Sequence, residues 1–167
     1  MNPAFAVVLA LVVLQRVAEL RLSRRHEAAL RARGAVEHGA AHYPVMVVLH
    51  IAFLAACPLE VLLLDRTFHL GLAVPMAVVL LLAQGVRLWT MVTLGDRWTT
   101  RVLVLAGVPR VTDGPYRHTR HPNYLAVMAE IVALPMFHTA WVTAATFTVL
   151  DALLLRERMR VEDAALG

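Results

Sequence analysis

The sequence predicts an all-α membrane protein, a polytopic helix bundle of about five transmembrane helices plus a short cytoplasmic C-terminal helix. Of its 167 residues, 59% are hydrophobic and only 17% are charged, whereas about 25% of the residues of a soluble domain are charged. A soluble domain of this size has too little interior to bury so much apolar surface. The length suits a single domain spanning residues 1–167.

Five apolar segments divide the chain and define the predicted helices, namely residues 3–22, 43–64, 68–94, 122–137 and 138–155. The first three are long enough to cross about 30 Å of hydrocarbon. The last two are shorter and almost directly joined, so Pro135 and residues 138–139 must form a tight helical hairpin. Residues 3–22 are interpreted as a span and not a signal peptide, because charges follow the segment and no small-residue cleavage pattern is present.

The arginines predict the orientation of the bundle. All 16 basic residues are arginines, and they concentrate in residues 21–42, residues 95–121 and the C-terminal tail. Cytoplasmic loops of membrane proteins are enriched in arginine and lysine, so the N-terminus is expected outside and both long loops and the tail in the cytoplasm. The net charge of +4 does not indicate nucleic-acid binding, because no basic run is interleaved with aromatic residues.

Residues 112–124, TDGPYRHTRHPNY, form the richest polar stretch. A turn is followed by cations and by Pro122, which suits the first turn of a helix. Free backbone N–H groups and arginines at a helix start can hold a carboxylate or a phosphate. Tyr116 and Tyr124 offer aromatic faces to an adenine ring or a sulfonium. The alternative is an anchoring loop, because arginine and tyrosine commonly lie at the membrane interface.

The C-terminal tail is the second polar cluster. Its residues 156–163, RERMRVED, are predicted to be helical, and Arg158 and Glu162 are spaced to lie on one face. The alternative is a solvated amphipathic helix. The predicted topology places this tail beside residues 112–124, on the cytoplasmic side.

Both clusters resemble the isoprenylcysteine carboxyl methyltransferase family of integral membrane methyltransferases. Its pattern is a Gly-x-Tyr turn, an Arg-His-Pro-x-Tyr box and a final Arg-x-x-x-Glu-Glu-x-x-Leu helix. The matching residues here are Gly114, Tyr116, Arg120, His121, Pro122, Tyr124, Arg158, Glu162 and Leu166. Asp163 replaces the second glutamate and keeps its charge.

The resemblance implies a fold, a methyl donor and roles for particular residues. The donor is S-adenosyl-L-methionine, and the donor-binding core covers about residues 112–166. The implied donor-binding residues are Gly114, Tyr116, Arg120, His121, Pro122, Tyr124 and Glu162. Arg158 and Glu162 are the implied catalytic residues.

The front half resembles a bacterial subgroup of this family through RVAEL at residues 16–20, RGAVE at 33–37 and HYP at 42–44. Some of its members are associated with type III polyketide synthases and O-methylate long-chain alkylpyrones or alkylresorcinols. This implies a bacterial inner-membrane enzyme whose active site faces the cytoplasm. The acceptor would be a lipophilic small molecule that enters from the bilayer, with an isoprenylcysteine-like carboxylate as the other possibility.

The chemistry of the acceptor decides which further residues matter. A carboxylate or an enolate is already a nucleophile, whereas a phenol must lose its proton to a base. Glu130 and His42 are the candidate catalytic residues for a phenol or a pyrone enol, and Arg158 or Arg120 would bind a carboxylate. Glu130 has an alternative role as an interhelical partner of Arg87 or His50.

Two other functions compete with methyl transfer. One is a membrane NADPH-dependent reductase of the related sterol reductase type, whose Arg-His-Pro-x-Tyr box is similar. The other is a non-enzymatic lipid-binding membrane protein, which would explain the apolar composition but not two polar clusters on one side. No metal site is expected, because His118 and His121 lack a third ligand at suitable spacing.

Overall fold

The computed structural model describes residues 1–166, and these are mostly helical. The helices are α1 (Pro3–Ala32), α2 (His42–Leu63), α3 (Leu70–Leu94), α4 (Pro122–Met136) and α5 (Trp141–Leu166). Two short strands, β1 (Val36–His38) and β2 (Val102–Val104), lie in the long loops, where single-turn 3-10 helices also form at Gly95–Arg97 and Gly114–Arg117.

The predicted membrane helix bundle is confirmed in its main features. The helices α1, α2 and α3 are long and apolar enough to cross a membrane, and α4 is a shorter apolar helix. Large apolar side chains face outward on these helices: Leu63 is 75% exposed, Leu81 72% and Val92 81%. Such a surface suits lipid and would be costly in water.

Two helices are longer than the apolar segments that predicted them. Helix α1 continues through a polar stretch to Ala32, before Gly34 takes a φ of 86°. The fifth segment and the C-terminal tail form one helix, α5, and the predicted separate short helix is not formed. No glycine or proline interrupts residues 141–166, so nothing in that stretch breaks the helix.

The tight hairpin predicted between the last two apolar segments is present. Thr139 takes a φ of 59° between α4 and α5. The Glu60 carboxylate of α2 accepts hydrogen bonds from the backbone N–H groups of Val142 and Thr143, at 3.2 and 2.6 Å. These donors lack partners within a helix, so Glu60 caps α5 and holds it against α2.

A two-stranded ribbon that the sequence analysis did not predict joins the two long loops. Strand β1 pairs antiparallel with β2, with Val36 opposite Val104. Glu37 of β1 is paired with Arg31 and, at 2.5 Å, with Arg101. Strands this short leave no clear alternation in the sequence. The ribbon brings both loops to one end of the bundle.

A charged network lies within the helix bundle. Glu130 of α4 contacts Arg16 of α1 at 2.6 Å and Arg87 of α3 at 3.1 Å. Glu19 contacts the same two arginines at 2.5 and 3.6 Å, and Gln84 donates to Glu130 at 3.0 Å. Glu130 and Arg87 are only 6% and 4% exposed. Buried ions of opposite sign thus hold α1, α3 and α4 together.

We expect Glu130→Ala to lower the free energy of unfolding by about 3–5 kcal/mol, because the buried Arg87 loses its nearer carboxylate at 3.1 Å and keeps only the longer 3.6 Å contact with Glu19. Unfolding in detergent micelles by titration with a denaturing detergent measures the change. The matched control is Glu157→Ala, which removes an exposed pair with Arg160 at 3.5 Å and should change stability by less than about 1 kcal/mol. Equal losses in the two variants would contradict the prediction.

Candidate functional site

An open cleft lies where the polar ends of α3, α4 and α5 meet the ribbon. The cleft opens to solvent and has a cavity volume of about 130 Å³. Strand β2 and the start of α4 both contribute to its walls. Its main polar lining residues are Arg97, Tyr116, Arg120, His121, Asn123, Tyr124, Arg158 and Glu162.

Arg158 is a buried cation with neutral partners. Its Nε donates to the Tyr124 hydroxyl at 2.9 Å, its Nη2 donates to the Thr100 carbonyl at 2.5 Å, and its Nη1 lies 3.0 Å from the Met46 sulfur. Only 9% of Arg158 is exposed. Among residues 1–166, no carboxylate forms an ion pair with it. Thioether sulfur is a weak acceptor, so the guanidinium is suited to an anion from the cleft.

His121 connects the start of α4 to two carboxylates of α5. Its Nε2 lies 3.2 Å from an Asp163 oxygen, and its Nδ1 lies 3.7 Å from a Glu162 oxygen. Glu162 raises the pKa of His121 above its ordinary value, and Asp163 adds to the shift while burial opposes it. Glu162 also accepts a hydrogen bond from the Tyr124 hydroxyl at 2.5 Å. The box and the C-terminal helix are therefore joined directly.

The remaining cleft contacts order the loop before α4. Arg110 pairs with Asp163 at 3.1 Å and donates to the Arg120 carbonyl at 3.1 Å. Burial raises the pKa of Tyr116 to about 12, with a contribution from Glu162. Tyr116 therefore stays a neutral phenol at physiological pH.

The structure brings most of the residues named from the sequence into one cleft. They are Tyr116, Arg120, His121, Pro122, Tyr124, Arg158 and Glu162. Gly114 is not part of the lining. It has a φ of 58°, and a Cβ there would lie 2.4 Å from the Thr93 hydroxyl. The glycine is therefore required for close packing of the loop on α3.

Glu130 and His42 also lie outside the lining of the cleft. Glu130 is held in the charged network with Arg16 and Arg87, which matches the interhelical alternative for Arg87 but not for His50. His50 instead contacts the backbone carbonyl of Met46 at 2.9 Å. His42 lines a smaller pocket that shares Arg158 with the cleft. Neither candidate base lines the cleft.

Some cleft residues were missed by the sequence analysis. Arg97 and strand β2 come from a loop whose arginines indicated only topology. Asn123 occupies the variable position of the Arg-His-Pro-x-Tyr box. Its place between Pro122 and Tyr124 was the sequence signal that could have identified it as a site residue. Its Oδ1 is buried and has no hydrogen-bond partner within residues 1–166.

The lining suits a ligand with an anionic end and polar groups. Arg97 and Arg120 both line the cleft, and Arg97 donates to the Pro109 carbonyl at 3.0 Å. In the described part of the chain, neither Arg97 nor Arg120 forms an ion pair with a carboxylate. The buried Asn123 Oδ1 and His121 Nδ1 are unsatisfied there as well. Buried polar atoms usually have partners, so these atoms are available to a bound molecule. Leu94, Val104 and Val108 supply apolar walls.

Residues 75–167 match the family model of the isoprenylcysteine carboxyl methyltransferase (ICMT) family. This match covers more than half of the chain, including α4, α5 and most of the cleft. The chain belongs to the isoprenylcysteine carboxyl methyltransferase family. Family membership indicates a membrane methyltransferase and does not favour the reductase or the non-enzymatic alternative.

Two relatives match this ICMT-family chain over nearly its whole length. The uncharacterized protein YpbQ of Bacillus subtilis is 39% identical over 165 residues, which cover 97% of this chain and 96% of the relative. An uncharacterized protein of Haemophilus influenzae is 29% identical over 171 residues, which cover 99% of this chain and 94% of that protein. No solved structure matches the chain significantly. The similarity therefore extends beyond the family match to α1 and α2.

The contacts of His121 predict a pH-dependent stabilisation. Its pKa is raised in the folded chain, so the contribution is complete below the unfolded value of 6.5 and is lost as the pH rises through the folded value. Burial acts to raise the pKa of Asp163, but His121 and Arg110 outweigh burial and hold this pKa below its ordinary value. The Asp163 carboxylate is therefore ionised throughout this pH range. We expect His121→Gln to lower the unfolding temperature more at about pH 5.5 than at about pH 9.

Thermal unfolding in detergent at both pH values measures this difference. His118→Gln is the matched control, because His118 is exposed and forms no ion pair with the carboxylates of residues 1–166. Its effect should be small and the same at both pH values. A His121→Gln effect that grows with pH would show that the imidazole is not stabilised as a cation.

Proposed function

We propose that the protein is an S-adenosyl-L-methionine-dependent O-methyltransferase that acts on a lipophilic small molecule at the cytoplasmic face of a bacterial inner membrane. The observation that carries the proposal is Arg158, a buried cation with neutral partners in the described chain, at the wall of a cleft built by the family motif. Methyl transfer to oxygen needs an oriented, water-poor site for an oxygen nucleophile.

The donor fits the polar part of the cleft. Arg97 or Arg120 would hold its carboxylate, and Glu162 and the unsatisfied Asn123 Oδ1 would accept hydrogen bonds from its amino group or ribose hydroxyls. Tyr116 and Tyr124 would provide aromatic faces for the adenine ring or the sulfonium. When bound, S-adenosyl-L-methionine supplies a methyl group on a positively charged sulfur.

Arg158 suits an acceptor oxygen that is already anionic. Its Nη1 carries two N–H groups and contacts only the weak Met46 sulfur, so an oxyanion beside it would form a stronger charge-assisted hydrogen bond. The two candidate bases are less suited, since Glu130 is paired with two arginines and His42 lines the other pocket. A carboxylate or an acidic pyrone enol therefore fits the site better than a resorcinol phenol, which must lose its proton.

An apolar groove between α3 and α4 suits the tail of such an acceptor. Its cavity volume is about 370 Å³, and its walls include Val79, Leu82, Val86 and Leu125. Pro122 lines both the groove and the cleft. An alkyl chain could thus lie among the helices while its head reaches the donor, which supports entry from the bilayer.

The proposed membrane arrangement has five spans, an N-terminus outside and the cleft in the cytoplasm. The arginine distribution supports it, as does the water solubility of the donor. We place the acceptor among the long-chain alkylpyrones and alkylresorcinols, with an isoprenylcysteine-like carboxylate as the second candidate. The pyrone is preferred, because it combines an acidic enol with a long tail.

Donor binding tests the first part of this proposal. We expect S-adenosylhomocysteine to bind the purified protein and its affinity to fall about tenfold or more in Glu162→Ala, because one charge-assisted hydrogen bond contributes about 1.5–3 kcal/mol. His121→Ala should weaken binding as well, since it disorders Glu162. Calorimetry in detergent measures both, with Glu157→Ala as the matched control, because Glu157 lies on the same helix but outside the cleft lining. Unchanged affinity in both cleft variants would exclude this donor site.

Transfer of a labelled methyl group tests the acceptor. The panel contains an alkylpyrone, an alkylresorcinol and a farnesylcysteine analogue, each with a short and a long tail. We expect the long-tailed pyrone to be the best acceptor and Arg158→Gln to lower its kcat/KM by about 100-fold, as loss of an oxyanion-binding donor does. Equal turnover of short, water-soluble acceptors would refute entry from the bilayer. Transfer to the prenylcysteine analogue alone would refute the preferred head group.

A further inference from the structure

The first helix carries a buried serine that contacts the loop after α3. Ser23 is fully buried, at 0% exposure, although it lies in the polar end of α1. The family match begins at residue 75 and assigns no role to this helix. A buried hydroxyl needs partners, so its contacts reveal what it holds.

Every hydrogen-bonding group of Ser23 Oγ is used. Its proton is donated to the Glu27 carboxylate at 2.6 Å. Its oxygen accepts from the Thr100 backbone N–H at 2.9 Å and lies 2.9 Å from the Thr100 hydroxyl. A serine has one donor and two acceptor sites, so the Thr100 hydroxyl is the donor in the last contact. Ser23 is thus hydrogen-bonded to both the backbone and the side chain of Thr100.

The carbonyl of the same Thr100 holds Arg158. The Thr100 carbonyl oxygen accepts a hydrogen bond from Nη2 of Arg158 at 2.5 Å. This bond joins the Arg158 guanidinium to the backbone of the loop. The guanidinium is planar, with its five N–H groups in a fixed fork. The direction of Nη2 toward Thr100 therefore helps to set the direction of Nη1, the group that faces Met46.

We propose that Ser23 is a positioning residue for Arg158, acting from the first helix through Thr100. Ser23 binds the backbone N–H group of Thr100, and the carbonyl of Thr100 binds Arg158. Helix α1 therefore contributes to the orientation of Arg158 in the cleft. This role rests on the proposed function only as far as it concerns turnover; the orientation of Arg158 can be measured without any acceptor.

Two variants weaken the contact between Ser23 and Thr100 from opposite sides. Ser23→Ala removes the hydroxyl from α1, where alanine is a good helix former, and so removes both hydrogen bonds to Thr100. Thr100→Val keeps the side-chain shape and the backbone N–H bond to Ser23, but removes the loop hydroxyl, which also lies 3.3 Å from the Tyr43 hydroxyl. The matched control is Arg33→Gln, which breaks a different contact between the end of α1 and the same loop, an exposed pair with Asp96 at 3.1 Å.

The first readout is the rate at which phenylglyoxal modifies Arg158 in purified protein in detergent, followed by mass spectrometry. We expect Ser23→Ala to raise this rate by about 3- to 10-fold, because one net hydrogen bond restrains a group by about that factor. Thr100→Val should raise it as well. The exposed Arg160 is the internal standard, and its rate should stay constant in every variant. Arg33→Gln should leave the Arg158 rate unchanged.

The second readout is methyl transfer to the long-tailed alkylpyrone. We expect kcat to fall by about 3- to 10-fold in Ser23→Ala, while the affinity for S-adenosylhomocysteine changes less than about twofold. In an Arg158→Gln background, Ser23→Ala should cause no further loss, because a residue that acts through Arg158 has nothing left to position.

The outcomes separate this inference from the function on which it rests. An Arg158 modification rate within about twofold of wild type in both Ser23→Ala and Thr100→Val would overturn the positioning role, since a lost hydrogen bond should exceed that change. Equal further loss from Ser23→Ala with and without Arg158 would overturn it too. If the wild type methylates none of the acceptors, the proposed function fails, and the modification rates still decide the role of Ser23.

Discussion

A charge buried within a membrane helix bundle is costly unless the protein supplies a partner for it. Glu19 and Glu130 face Arg16 and Arg87 across three helices. Separating such ions from their partners would be costly. The network therefore holds α1, α3 and α4 together, and on α3 its Arg87 lies within one helical turn of Thr90 in the cleft lining. The geometry of the site depends on this constraint.

Arg158 departs from this pairing at the end of the bundle. Where the helices emerge, its guanidinium is held by a hydroxyl, a carbonyl and a thioether, with the carboxylate of Glu162 directed to Tyr124 and not to the arginine. A cation kept close to a carboxylate would be neutralised, whereas a cation kept among dipoles retains its attraction for an incoming anion. The cleft thus lies at the end of a charge-balanced network and contains a buried cation, Arg158, that is available to a substrate.

Helix α5, the ribbon and the first helix each position residues of the cleft. Glu60 caps the start of helix α5, and Arg158 and Glu162 lie toward its other end. Because the helix is uninterrupted, the position of its start at the hairpin determines where these two side chains lie. The ribbon joins two loops that are far apart in sequence. Through Ser23 and Thr100, the first helix then reaches the same arginine. Residues from both halves of the chain therefore define one site.

Composition and local pattern determined the membrane helix bundle, the hairpin before α5 and the two polar clusters that meet in the cleft. Apolar segment length and helix-compatible spacing are local properties, so Tyr124, Arg158 and Glu162 could be named from the sequence. Their particular partners are properties of packing. Gly114 supports α3 instead of lining the cleft, Glu130 joins a network with arginines of two other helices, and Thr100 links α1 to Arg158. Only the tertiary structure decides these contacts, because they join residues that are far apart along the chain.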